Sequence, residues 1–85
     1  MSYVPGFAPD CRIDWRAMNL ELQELVLDEM ERLAANPPST DSILIDFVHE
    51  SAGVRHYVWL RVVIDHARSR IHVVGLHHYP RLVAP

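Results

Sequence analysis

Four residues at alternate positions carry the strongest chemical signal in this chain: Arg55, Tyr57, Trp59 and Arg61. Side chains alternate across a strand, so these four share one face of any strand that holds them. Guanidinium forks grip phosphate or carboxylate in pairs of hydrogen bonds. Aromatic rings stack on nucleic-acid bases or anchor a protein partner. Three uses are therefore open: a phosphate-and-base platform, a protein-anchoring surface, or a strand face held by cross-strand pairs. His78 and Tyr79 form a second candidate, because imidazole alone titrates near neutrality without help. Arg81 adds a cation just beyond them.

Other chemistries find little support. The six histidines invite a metal, but His77 and His78 are neighbours on a strand and point oppositely. No Cys-x-x-Cys or His-Glu-x-x-His spacing occurs, so neither a metal nor another cofactor is expected. His56 alternates with Val58 and Leu60, which makes it a hydrogen-bonded core residue. Cys11 falls on an apolar helical stripe and reads as packing. With three glycines in all, the chain has no phosphate-cradling loop.

These candidates must be placed by a simple series of elements. Tyr3, Val4 and Phe7 form a short edge strand or arm within residues 1–9, where Pro5 is tolerated. Pro9 opens a helix whose apolar positions Cys11, Trp15 and Met18 follow helical spacing. Asn19 caps a second helix running to about Ala35, with Leu22, Leu25, Val26, Met30 and Leu33 as its buried face. Leu20, Leu27 and Ala34 make a second, partly apolar side, expected to pack on the first helix. Asn36-Pro37-Pro38 ends the helix pair of residues 10–36.

Residues 43–79 read as a three-stranded meander. Ile43 to Val48 alternates as a strand, and residues 50–53 turn the chain. The long strand Val54–Asp65 buries Val54, His56, Val58, Leu60, Val62 and Ile64 on one face. A short loop leads to a last strand from Arg70, with Gly75 a bulge or bend and Pro80 its end. Residues 81–85 read as a tail. The order is short β, α, α, β, β, β: an α+β domain with two helices on one face of a small antiparallel sheet.

At 85 residues the chain is one domain with a modest core. Its net charge is −3, split between an acidic helical half and a mildly basic β half. Every side-chain cation other than histidine is arginine. No apolar run is long enough to cross a bilayer. The opening residues lack a basic and apolar leader pattern, and a single cysteine permits no internal disulfide, so a cytoplasmic setting is expected.

In this pattern the chain resembles the RelE/ParE superfamily of toxins from toxin–antitoxin pairs. Phe7-Ala8-Pro9-Asp10 is similar to the family's approach to its first helix. The run from Asn19 to Pro38 looks like its second helix and Asn-Pro ending. Tyr57 to Val62 with Asp65 resembles its central strand, and His77-His78-Tyr79 the His-Tyr ending of one nuclease branch. The resemblance implies two helices on a small sheet and an antitoxin segment wrapped around the toxin. It implies two activities among members: cleavage of messenger RNA on the ribosome without a metal, or poisoning of gyrase. For cleavage, His78 and Tyr79 match the acid/base and stacking pair. Arg61 matches a basic position of the central strand. Tyr57 stands where that branch usually has arginine, with Arg55 on the same face. Arg55, Tyr57, Trp59 and Arg81 are the expected contacts to RNA or partner. The alternative is a catalytically silent interaction module, with a homodimer joined at the sheet edge or the apolar flank of the second helix as one form of it.

Overall fold

A computed structural model describes residues 2–83. Residues 1, 84 and 85, which belong to the expected arm and tail, lie outside the described residues. The elements are β1 (Val4–Phe7), α1 (Pro9–Ala17), α2 (Leu20–Ala35), β2 (Ser42–Ser51), β3 (Val54–Asp65) and β4 (Arg70–Leu82). They form one four-stranded sheet in the order β1-β4-β3-β2, with both helices on one face.

Local sequence explains most boundaries. Pro9 occupies the first turn of α1, where its missing N–H is no loss. The Asn19 side chain accepts a hydrogen bond from the Leu22 N–H at 2.9 Å and starts α2. Between the helices, the Gln23 amide donates to the carbonyls of Met18 (2.8 Å) and Arg16 (3.1 Å), satisfying groups at the end of α1. The Trp15 indole donates to the Gln23 carbonyl and stacks on Phe7 at 5.0 Å. The junction between the helices is thus partly polar. Ala34 is buried as part of the core, whereas Leu20 is left 75% exposed rather than covered by α1.

The core lies between α2 and the two central strands. Leu22, Val26 and Met30 of α2 meet Val58, Leu60 and Val62 of β3 and Ile71 and Val73 of β4, all fully buried. The alternation read from Val54–Asp65 holds through this strand: even-numbered residues face the helices and odd-numbered ones the open side.

Three features differ from the sequence expectation. First, the sheet is mixed, because β1 pairs parallel to β4 from Val4↔Arg70 to Phe7↔Val73. The meander leaves that edge of β4 free, and the backbone groups of β1 find partners along it. Secondly, β4 runs through Pro80 to Leu82, so Arg81 lies in a strand rather than a tail. β1 reaches only to Val73, and beyond it β4 has an open edge, where a proline removes no ladder hydrogen bond. Thirdly, β2 extends to Ser51, and the turn shrinks to Ala52 and Gly53, both with positive φ (52° and 77°). Such two-residue turns match the twist of a hairpin.

A bulge interrupts the β3–β4 ladder. Arg61 pairs with Gly75 while Val62 pairs with Val73, leaving Val74 as the extra residue. Before it, Ile71 and Val73 face the helices; after it, Leu76 does. The inward parity of β4 therefore changes from odd to even. Gly75 is suited to this point, since a Cβ there would lie 3.2 Å from the Arg61 Cβ. No described helix is long and apolar enough to cross a bilayer.

Candidate functional site

The open face of the sheet displays one row from each of three strands. The row of β3 is Arg55, Tyr57, Trp59, Arg61 and Val63. Directly across on β2 stand Glu50, Val48, Asp46, Leu44 and Ser42. Directly across on β4 stand Arg81, Tyr79, His77, Gly75 and His72. Neither helix covers this face. Leu44 is 69% exposed, Val48 55%, Trp59 44% and Tyr79 57%.

The aromatic residues form a strip. The Tyr57 ring lies 6.3 Å from Trp59, nearly parallel, and 6.3 Å from Tyr79, tilted. These separations suit offset aromatic contact. Arg55 stands at one end of the strip and is engaged: its guanidinium reaches Glu50 at 2.8 Å. Tyr57 first, and then Glu50, hold that guanidinium even further above its ordinary range. Arg61 and Arg81 make no ion pair among the described residues. Arg61 and the Arg81 pairing position lie six residues apart along β3, about 20 Å at strand rise. They frame the strip from opposite ends and do not converge on one phosphate.

The expected site residues are thus partly assembled. Arg55, Tyr57, Trp59, Arg61, Tyr79 and Arg81 share one face. His78 does not join them. It pairs with Val58 and points to the helix side, because the bulge has reversed the parity of β4. Its Nε2 lies 2.8 Å from Nδ1 of His56, which is buried, and the two rings stack at 5.1 Å. One nitrogen of that contact donates and the other accepts, so the pair cannot keep its bond with both rings doubly protonated. Burial, and secondarily His56, push the His78 imidazole below its ordinary range. His78 also borders a cleft of about 310 Å³ between α1 and β4, with Asp14, Ala17, Met18, Leu76 and His77.

Sequence reasoning missed four contributors to the open face. His77 stands on this face opposite Trp59. Leu44 and Val48 belong to the alternation of β2, whose outward half had no assigned role. Asp46 sits opposite Trp59 with no ion pair among the described residues. The parity of β2 was legible; that of His77 was hidden by the bulge.

Other titratable groups are occupied structurally. His66 accepts from the Tyr3 hydroxyl at Nδ1 (2.9 Å) and donates from Nε2 to the Thr40 carbonyl (3.0 Å), which ties a loop to both neighbouring segments. His49 Nε2 lies 2.7 Å from a Glu21 carboxylate oxygen, in ion-pair range but off the line of a hydrogen bond. Burial first, then Asp14 and Asp10, push the Cys11 thiol up, away from the reactive thiolate. Among the described residues, no three His, Cys, Asp or Glu side chains gather as a metal site.

No protein-family model matches the chain, and no curated protein sequence does. Solved structures do. The isolated RelE toxin of E. coli superimposes with a TM-score of 0.69 at 16% identity, over 94% of this chain and 87% of that one. A free-state RelE mutant with two arginines replaced by alanine superimposes with a TM-score of 0.64 at 15% identity, over 89% and 82%. The chain has the RelE fold. The α+β architecture implied by the sequence resemblance is therefore shown, with the parallel β1 as its one addition. Within this RelE-like fold, the open sheet face is the surface that the helices leave uncovered.

Proposed function

We propose that this chain is the toxin-fold member of a toxin–antitoxin type pair and that its open sheet face binds an antitoxin-like protein segment. The observation that carries the reading is the uncovered apolar and aromatic strip of Leu44, Val48, Tyr57, Trp59 and Tyr79. A contiguous apolar patch rimmed by charge marks an interaction surface on a small soluble domain. Aromatic residues and arginine are the side chains that dominate such interfaces. The test is expression of the chain alone and together with the product of the adjacent reading frame. Growth arrest by the chain alone, relieved by a neighbour that co-purifies at fixed stoichiometry, supports the pair. No arrest and no complex would leave the alternative of a silent module.

A second reading, ribosome-dependent cleavage of messenger RNA, is favoured by the company of Arg61. Cleavage by the adjacent 2′-hydroxyl needs a cation for the phosphate charge and groups that move protons. In this reading Arg61 takes the phosphate, Trp59 and Tyr79 stack bases, and His77 and His72 are the imidazoles on the same face as Arg61. Arrest with cut messenger RNA, abolished by Arg61→Ala, supports it. Arrest with intact messenger RNA points to gyrase or another target.

A further inference from the structure

The long free edge of the sheet is the strongest unassigned feature. β2 spans Ser42–Ser51, with β3 on one side and, among the described residues, no strand on the other. It contains no proline, glycine or lysine and pairs with β3 without a bulge. These are the usual devices that keep an edge from pairing, and only a charge remains here. That charge is Asp46, at the middle of the outward row Ser42, Leu44, Asp46, Val48 and Glu50. Glu50 is neutralised by Arg55, whereas Asp46 has no ionic partner among the described residues. A hollow of about 200 Å³ opens beside it, lined by Asp46, Phe47, Val48, Tyr57, Val58 and Trp59.

We propose that β2 receives an extended protein segment as an added strand, and that this segment seats a lysine or arginine in the hollow. Its aliphatic stem passes over β2 beside Val48, and its cationic head reaches Asp46 where the hollow meets the Tyr57 and Trp59 rings. Residues two before and two after it are apolar and cover Leu44 and Val48. The inference rests on the reading that the open face receives a protein segment, and adds where the backbone lies and which side chain it carries. Main-chain bonds along an edge supply affinity, and pockets for alternate side chains supply specificity. A carboxylate beside two ring faces favours a cation by ion pairing and by the ring quadrupoles together. The same carboxylate repels phosphate, so this part of the face is unsuited to a nucleic-acid backbone. A second copy of β2 fits poorly. Of the two centred antiparallel registers, one sets Asp46 against Asp46 and the other sets it against Val48. Neither supplies a cation.

The test uses the full chain, labelled with nitrogen-15, and a capped peptide Ser-Val-Thr-Arg-Thr-Val-Ser. Titration should shift the amides of residues 42–51 and slow hydrogen exchange at every second one, where the N–H faces the free edge. Affinity should fall about tenfold or more when the peptide arginine becomes glutamate, and similarly in Asp46→Asn, an exposed and nearly isosteric change. Trp59→Leu should weaken binding while leaving the β2 exchange pattern of the free chain intact. Equal binding of the glutamate peptide overturns the inference. So does a footprint on β1, β4 or the helices, or no shift at about 1 mM peptide. Concentration-dependent shifts of β2 without peptide, with a doubled mass, would assign the edge to a second copy. Displacement of the peptide by an oligouridylate that shifts Asp46 and Trp59 would assign it to nucleic acid. Peptide binding without growth arrest or a cognate neighbour removes the toxin reading and keeps this one; a cognate complex whose segment bypasses β2 does the reverse.

Discussion

Two leucines on this sheet allow the same substitution to be made on opposite faces. Leu60 is fully buried on β3 beneath α2, and Leu44 is 69% exposed on β2. Leu60→Ala removes the transfer free energy of the side chain and leaves a cavity in a core that cannot close over it. Together these cost about 3–4 kcal/mol, within the range for buried leucines. A domain of this size has roughly 4–13 kcal/mol in total, so the variant loses a large share of its stability. The expected fall in Tm is about 15–25 °C. Leu44→Ala gives up only about a third of a leucine's burial and leaves no cavity. Its cost is about 0.5–1 kcal/mol and a Tm change of about 3–6 °C. Urea and thermal unfolding, followed by Trp15 and Trp59 fluorescence, measure both. Binding should rank the other way: Leu44→Ala weakens the proposed partner complex, while Leu60→Ala leaves it intact at temperatures where the variant is folded. Similar stability losses at the two positions would refute the facing of the sheet and with it the open interaction surface.

Two further outcomes follow from local geometry. Ala52 holds a left-handed backbone at φ 52° in the β2–β3 turn, so Ala52→Gly should stabilise the protein by about 1 kcal/mol in urea unfolding, and a loss would refute that assignment. The fold holds the His78 imidazole below its unfolded range, so it favours the neutral ring. This contribution is complete above about pH 6.5 and is lost as pH falls through the lowered folded value. His78→Gln should flatten the difference in stability between about pH 7 and pH 5, and an unchanged slope would remove the role of burial and His56 at this group.

How far the sequence could be read depended on the range of the interactions. Asn19 and the apolar spacing from Leu22 to Leu33 are local signals, and α2 forms where they indicate. The alternation of Val54–Asp65 is equally local and survives intact, because β3 has strands on both sides and no irregularity of its own. The parallel seat of β1 is different. It arises from backbone groups more than sixty residues apart, such as the Val4 N–H donating to the Ser69 carbonyl at 2.9 Å. No periodicity in either segment encodes that direction. Pro80 misled for a related reason: a proline ends a strand only where its missing N–H is needed, and the length of β1 decides that.

The placement of the histidines turns on one extra residue. In an unbroken strand, Ile71 and Val73 facing the core would carry Tyr79 inward and His78 out opposite Tyr57. Val74 bulges and Gly75 lets the chain pass within van der Waals reach of Arg61, so the parity reverses between them. Tyr79 then completes the strip with Tyr57, and His77 takes the outward place. His78 instead meets His56, which would otherwise bury a ring nitrogen without this partner. The irregularity thus distributes the polar groups so that the helix side has a self-satisfied imidazole pair. The open side keeps Arg61, Trp59 and Tyr79 together with Asp46, a mixed-charge aromatic surface better matched to a protein segment with its own cation than to an unbroken run of phosphates.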